Sequence, residues 1–244
     1  MSVPALIPIN PKIILEPWPD YPLAEIASGT RANNGHFLYE NKAEGLSVGV
    51  WEQGANETHW MDYPVHEFMI ILEGAVTIEE RNCETTITAG QSFVIPKGRN
   101  CRWKQKDRVR KIFVILDAGV AKSDSHVVKI DTDAKQSHSP PPSADVLLSS
   151  PPPTQQALDF YEAHGGRFSV GLWSTTHYRR KLISFPRWEL MHILEGQVSM
   201  DDGEGHAHEF RAGDTFFVPH GATNAWTSTA DLKKIFCILL PKAA

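Results

Sequence analysis

The chain has 244 residues, of which 41% are hydrophobic, so it can bury two cores of ordinary domain size. Its formal net charge of −5 gives no broad basic surface, which argues against non-specific nucleic-acid binding. Three cysteines without a Cys-x-x-Cys pair, no signal-peptide pattern and no long apolar run favour a reducing, cytoplasmic setting without a membrane partner.

Proline divides the chain into predicted segments. An N-terminal arm, residues 1–36, contains six prolines, which discourage helix and favour extended or edge segments. Short apolar runs then predict strands across a first domain, residues 37–118, and across a second, residues 159–244. Between them, residues 119–158 contain two Pro-Pro-Pro runs and are predicted to form a linker. No amphipathic helix is evident, so the chain is predicted to be all-β.

The two predicted domains repeat each other. The shared segments are Val-Gly-x-Trp at 48–51 and 170–173, Leu-Glu-Gly at 72–74 and 194–196, Pro-x-Gly at 96–98 and 219–221, and Lys-Ile-Phe at 111–113 and 234–236. The offset is 122 residues up to the Leu-Glu-Gly turns and 123 after them. This spacing indicates a domain-sized duplication, and therefore two similar barrels.

Two spaced motifs make the repeat specific. Glu67 and Gly74 have the spacing E-x6-G, and Gly90 begins the pattern G-x5-P-x-G; both recur in the second copy, from Glu189 and from Gly213. On these motifs the chain resembles a bicupin of the RmlC-like superfamily over about two-thirds of its length. It is most similar to the ethanolamine-utilisation-type subfamily, which includes ureidoglycine aminohydrolase cupin domains. The resemblance implies two tandem double-stranded β-helix (jelly-roll) barrels.

The same resemblance raises the question of a metal. Cupin enzymes usually hold a divalent ion with His-x-His, the glutamate of the first motif and a histidine of the second. The corresponding positions here are Trp60, Asp62, Glu67 and Cys101 in the first copy, and Leu182, Ser184, Glu189 and Asn224 in the second. A longer spacing would instead place Met61 and Tyr63, or Ile183 and Phe185, at the first two positions. Every histidine is replaced, so no cofactor is expected in either barrel.

One metal alternative is kept for the first barrel. A one-residue bulge would turn His59 inward and give a weak ligand set for a divalent ion. That set is His59, Asp62, Glu67 and Cys101.

Strand alternation predicts which side chains line the cavity of each barrel. The candidate ligand-binding residues are Asp62, Glu67, Cys101, Trp103 and Gln105 in the first barrel, and Ser184, Glu189, Asn224 and Trp226 in the second. Burial beside indole and aliphatic groups would raise the carboxyl pKa of Glu67 and of Glu189, so either could act as acid or base, and Glu67 is the catalytic candidate. Alternatively, the two glutamates and tryptophans only support the fold. The basic residues within 104–111 are expected on a solvated hairpin face.

The sequence therefore predicts a metal-independent bicupin that binds a small polar organic molecule, with the first barrel as the working site. One alternative is an enzyme acting on small nitrogenous or carboxylic metabolites, with Glu67 as general acid or base. Another is a regulatory or interaction protein whose cavities are structural. A homodimer is expected. The identity of the ligand does not follow from the sequence.

Overall fold

The computed structural model describes residues 5–117 and 125–242, and every regular element in them is a β-strand, from β1 (Ile7–Ile9) to β24 (Leu232–Leu239). No helix in these residues could cross a membrane. The strands form two compact units. The first barrel is Asn10–Ile130, and the second barrel combines residues 5–9 with residues 131–242.

The first barrel consists of two antiparallel sheets. The larger has the order β14-β11-β8-β13-β5-β4-β2, and the smaller has the order β10-β9-β12-β6-β3, with β7 beside β12. The strands are β2 (Glu16–Trp18), β3 (Ile26–Gly29), β4 (Asn33–Asn41), β5 (Leu46–Gln53), β6 (Asn56–Thr58), β7 (Met61–Asp62), β8 (His66–Glu73), β9 (Ala75–Glu80), β10 (Cys83–Thr88), β11 (Ser92–Ile95), β12 (Asn100–Gln105), β13 (Val109–Leu116) and β14 (Val128–Lys129).

The second barrel repeats this plan. Its larger sheet has the order β1-β22-β19-β24-β17-β16-β15, and its smaller sheet has the order β18-β23-β20-β21. The strands besides β1 and β24 are β15 (Ser137–Ser139), β16 (Gln155–Ala163), β17 (Phe168–Thr175), β18 (Arg179–Ser184), β19 (Trp188–Glu195), β20 (Gln197–Asp201), β21 (Ala207–Arg211), β22 (Thr215–Val218) and β23 (Thr223–Thr227). The predicted all-β fold with two tandem jelly-roll barrels is confirmed.

Burial follows the pattern of each strand. The apolar strand β8 is buried over its first six residues, as expected for a strand covered on both faces. In β12, buried residues alternate with partly exposed ones, so only one of its faces meets the core. The core of the first barrel draws side chains from both sheets, including Met69, Ile78 and Phe113.

The strand that opens each repeat completes the barrel of the other repeat. Residues 7–9 and 128–130 are equivalent at an offset of 121. β1 pairs with β22 of the second barrel, and β14 pairs with β11 of the first. Ile9 in β1 and Ile130 directly after β14 are each 5% exposed, so both segments contribute to a core. The N-terminal arm thus stabilises the second barrel.

Ile9→Ala should therefore destabilise the second barrel selectively, by about 2 kcal/mol, since the truncation removes buried methylenes. Hydrogen exchange would show faster opening of the β22 amides than in the parent, with β11 unchanged. The mirror variant Ile130→Ala should give the reverse pattern. Equal loosening of β11 and β22 in either variant would contradict the exchanged pairing.

The expected domain limits differ from this division of the chain. The arm and the linker contain the edge strands β2 and β15, which pair with β4 and β16. Proline suits an edge strand because the outer side needs no N–H donor, so composition does not distinguish such a strand from a linker. The end of the predicted first domain at residue 118, together with residues 1–4, 119–124 and 243–244, lies outside the described residues.

Candidate functional site

The first barrel encloses a cavity of about 280 Å³, called here the first cup. Glu67, Cys101 and Trp103 line it, as predicted. Gln105 is buried but lies outside the lining, because its amide donates to the backbone carbonyls of Gln53 and Gly54 at 2.8 and 2.7 Å. Its side-chain oxygen accepts from Trp103 Nε1 at 2.6 Å. Gln105 therefore holds the indole in place.

A buried ion pair lies at the centre of the first cup. Lys111 Nζ donates to Glu67 Oε1 at 2.8 Å, and the Tyr63 hydroxyl donates to Glu67 Oε2. The side chains of Lys111 and Glu67 are only 8% and 6% exposed. Both carboxylate oxygens thus have a donor, which satisfies a charge that would otherwise be costly to bury.

Two indole rings flank the ammonium of Lys111. Its Nζ lies 4.8 Å from the ring centroid of Trp51 and 4.7 Å from that of Trp103, within the range of cation–π attraction. The prediction that the basic residues of 104–111 lie on a solvated hairpin face is wrong for Lys111 and Arg110, which are buried. A β-bulge between these two residues interrupts the alternation of the strand.

Titration of the neighbouring groups is shaped by burial. Burial, and then the charge of Glu67, raise the pKa of Tyr63 well above its usual value, so the phenol remains a donor at neutral pH. Burial, and then the carboxylate of Glu80, raise the pKa of Cys101 to about 12. Cys101 is therefore a neutral thiol near pH 7, and a thiol must lose its proton to bind a metal.

An acceptor without a partner also lies in the first cup. Asn56 lines the cavity and is 5% exposed, and its Nδ2 donates to Gln53 Oε1. The orientation of Gln53 is fixed because its own Nε2 donates to the Thr30 carbonyl at 3.1 Å. Among the described residues, Asn56 Oδ1 has no hydrogen-bond donor. A buried acceptor of this kind favours a bound group that carries an N–H or O–H.

The second barrel contains a cavity of about 400 Å³, called here the second cup. Glu189 again pairs with a lysine, because Lys234 Nζ donates to its Oε1 at 2.7 Å. Its other oxygen accepts from Arg187 Nε at 2.8 Å. Burial alone would raise the pKa of Glu189, but the positive charges of Arg187 and Lys234 outweigh it and hold that pKa below the usual value. The raised pKa expected from the sequence is thus wrong for Glu189.

Arg180 and Trp226 also line the second cup, whereas Asn224 and Ser228 lie behind it. Asn224 is 1% exposed, and its Oδ1 accepts from Arg180 Nη2 at 2.6 Å, so it positions the guanidinium. The Ser228 hydroxyl bonds the backbone of Tyr178 at 3.1 Å. Trp226 Nε1 is buried without a partner among the described residues.

Two predicted site residues face away from the cups. Asp62 and Ser184 are exposed, and the Asp62 carboxylate accepts from Asn100 Nδ2 at 3.1 Å. The side chains that line the cavities are instead Met61 and Tyr63, and Ile183 and Phe185. The longer motif spacing therefore describes both barrels, since a shift of one residue reverses the facing of a strand.

The residues of the first cup do not fit a divalent metal. His59 and Asp62 are exposed and lie outside the lining of the cup, so Glu67 and Cys101 are the only members of the predicted ligand set that face it, and both oxygens of Glu67 already accept hydrogen bonds. Within residues 5–117 and 125–242, two groups of potential ligands converge: Glu80, Cys83 and His126, and Asp202, Glu204 and His206. Neither group lies in a cup, and the guanidinium of Arg99 already contacts Glu80 and His126.

Solved structures share this fold. A protein of unknown function from Pseudomonas syringae pv. tomato DC3000 is 23% identical, with a TM-score of 0.79, covering 96% of this chain and 99% of that one. A putative dioxygenase from Nostoc punctiforme is 11% identical, with a TM-score of 0.62 and coverage of 98% and 84%. A putative glyoxylate-induced protein from Pseudomonas aeruginosa is 12% identical, with a TM-score of 0.60 and coverage of 100% and 92%.

No curated protein matches the sequence significantly. The profile of the EutQ-like cupin domain matches twice, at residues 40–113 and at residues 162–236. These two segments contain most of the strands of the two barrels, together with both glutamate–lysine pairs. With more than half of its length matched, the chain belongs to the EutQ-like cupin domain family and carries two copies of that domain.

Proposed function

We propose that the protein binds a small organic molecule in the first cup without a metal ion. The ligand is a neutral or cationic compound with N–H donors, such as an amine, an amide or a urea. The observation that carries this proposal is the buried Asn56 Oδ1, which has no donor among the described residues and lines the same cavity as the Glu67–Lys111 pair. A ligand N–H would satisfy this acceptor, for which the described residues supply no donor.

Charge supports the same class of ligand. The Glu67–Lys111 pair is neutral as a unit, and the remaining charged residue of the lining is Glu25. The cup therefore carries a net charge of −1, which favours a cation or a neutral donor over an anion. The rings of Trp51 and Trp103 provide an apolar wall, and the volume of about 280 Å³ suits a small molecule.

A second candidate is an enzyme of the aminohydrolase kind that acts on small nitrogenous or carboxylic metabolites. The contact of Tyr63 with Glu67 favours it, because the phenol, the carboxylate and the ammonium of Lys111 form a continuous hydrogen-bonded path. In such an enzyme Glu67 exchanges a proton with the bound molecule, and Tyr63 and Lys111 stabilise the two oxygens of Glu67. The open cavities favour either candidate over a purely structural role for the cups.

Ligand binding should depend on Glu67 far more than on Glu189. Small ureas, amides and amines would be screened by thermal shift, and binding of the stabilising compounds measured by calorimetry on chelator-treated protein. Glu67→Gln changes the charge that orients Lys111 and Tyr63, so we expect at least tenfold weaker binding, about 1.4 kcal/mol. Glu189→Gln is the matched control and should bind normally.

Two outcomes would contradict the proposal. Equal and negligible effects of Glu67→Gln and Glu189→Gln would remove the first cup as the binding site. A panel in which only carboxylates stabilise the protein through the first cup would contradict the proposed ligand class. For the enzymatic candidate, hits would also be incubated with the protein and analysed by mass spectrometry for turnover products.

A further inference from the structure

We infer that the second cup binds a small organic anion, a carboxylate or phosphate ester attached to an apolar or aromatic body. This inference is independent of the function proposed for the first cup. It rests on two arginines that are present only in the second copy, and on a buried donor that has no acceptor in the described part of the chain.

The arginines leave the second cup with excess positive charge. Glu189 and Lys234 form a pair that is neutral whichever partner holds the proton. Arg180 and Arg187 remain, and the described residues contribute no further carboxylate to the lining. The second cup thus carries a net charge of +2, in contrast to the first.

These charges are specific to the second copy. At the offset of 122 residues, Arg180 corresponds to Thr58 and Arg187 corresponds to Val65, both of which line the first cup. In the first cup Tyr63 donates to Glu67, but the equivalent residue of the second copy is Phe185, which has no hydroxyl. Arg187 donates to the glutamate there instead. The two barrels have the same fold, but at these equivalent positions only the second cup carries arginines.

Hydrogen bonds hold the guanidinium groups of Arg180 and Arg187 in place. Arg180 Nη2 donates to Asn224 Oδ1 at 2.6 Å, and its Nη1 donates to the backbone carbonyls of Asn224 and Lys181 at 3.2 and 3.3 Å. For Arg187, Nε is engaged by Glu189, and within the described part of the chain Nη1 and Nη2 have no hydrogen-bond partner. A planar fork with open N–H groups matches a carboxylate or a phosphate.

Trp226 supplies an independent observation. The equivalent Trp103 donates its Nε1 to Gln105, but the second copy has Ser228 at that place, and the serine hydroxyl bonds the backbone of Tyr178 instead. Trp226 is 3% exposed, lines the second cup, and has no acceptor among the described residues. A buried donor in the cavity that both arginines line calls for an acceptor.

Burial shifts the pKa of two cations of the second cup, Arg180 and Lys234. Burial, with the charge of Arg187 acting in the same direction, lowers the pKa of Arg180. Burial also lowers the pKa of Lys234. An anion in the cup would offset both effects, and the rings of Trp173 and Phe185 would cover its apolar part.

Calorimetry with matched probes tests the inference. Benzoate, phenyl phosphate and the neutral isostere benzamide would be titrated into chelator-treated, full-length protein in a buffer free of carboxylate and phosphate. We expect at least one of the two anions to bind once per chain and at least tenfold more tightly than benzamide. Binding of benzoate alone or of phenyl phosphate alone would identify which oxyanion the cup selects.

Variants then locate the binding site. Arg180→Gln should weaken binding of the anion at least tenfold, whereas Arg179→Gln removes the same charge from an exposed neighbour and should leave it unchanged. Arg187→Gln is the second variant, for use if Arg180→Gln fails to fold. Tyr63→Phe, which copies Phe185 into the first cup, should have no effect on the anion.

Three results would overturn the inference: no binding of either anion, equal affinities for benzoate and benzamide, or loss of binding in Tyr63→Phe but not in Arg180→Gln. Since the probes and the arginine variants concern the second cup, their failure leaves the amine or amide site of the first cup untouched. Failure of the Glu67→Gln comparison would likewise leave this inference standing.

Discussion

Lys111→Met should lower the unfolding free energy of the first barrel by about 3–5 kcal/mol, because it leaves the carboxylate of Glu67 buried without its cation. Both partners are buried, and the ammonium is also held between two indole rings. Urea denaturation followed by hydrogen exchange of the β8 and β13 amides would measure the loss.

The second barrel provides a matched control for Lys111→Met. Lys234→Met removes the equivalent lysine, but Glu189 keeps the contact with Arg187, so we expect a loss at least 1 kcal/mol smaller. The double variant Glu67→Gln/Lys111→Met should recover much of the stability, since no unpaired charge remains. Equal losses for the two lysine variants, or no recovery in the double variant, would contradict the role given to the pair.

Gly74→Ala should destabilise the first barrel by about 2–5 kcal/mol. Gly74 has a φ of +81°, in the left-handed region, which costs another residue about 1–2 kcal/mol. An added Cβ would also overlap the carbonyl oxygen of Arg108, which only a shift of the backbone can relieve. Thermal or urea denaturation of the purified variant would measure the change.

Gly90→Ala separates the two contributions. Gly90 has a φ of +84°, but an added Cβ would have open space around it. This variant should lose only about 1–2 kcal/mol, the cost of the left-handed backbone alone. If Gly74→Ala were no worse than Gly90→Ala, close approach to Arg108 would not explain the glycine of E-x6-G.

Much of the fold was predictable because its motifs are physical requirements of turns and strands. Gly74 and Gly196 share a φ of +81° and the same close backbone approach, so the repeated glycine marks the same turn twice. The exchanged strands β1 and β14 were not predicted. Their residues are few and rich in Pro or polar groups, and pairing across the repeats leaves no signal in local composition.

The site was predicted only in part. Glu67, Trp103 and Trp226 line their cups, but alternation gives the facing of a side chain only once the register is known, so Asp62 and Ser184 were placed inward. For the same reason the sequence alone does not decide between the two motif spacings.

The lysines were missed for a different reason. Lys111 follows several basic residues, and such a run is usually hydrated, yet the Lys-Ile-Phe segment recurs at 234–236. A charge retained in both copies inside an apolar strand was the available signal. The sequence signal for Arg180 and Arg187 is the opposite one, because these charges are present only in the second copy.

Elemental analysis tests most directly the claim that a lysine, and not a metal, is the counter-ion of Glu67. The tag-free protein would be expressed with Mn, Fe, Ni, Cu and Zn supplied and measured by mass spectrometry, beside Glu67→Ala and Cys83→Ala. We expect no metal that depends on Glu67; any ion bound by the group of Glu80, Cys83 and His126, which lies outside the cups, would be lost in Cys83→Ala. About one metal per chain, lost in Glu67→Ala but kept in Cys83→Ala, would contradict the account.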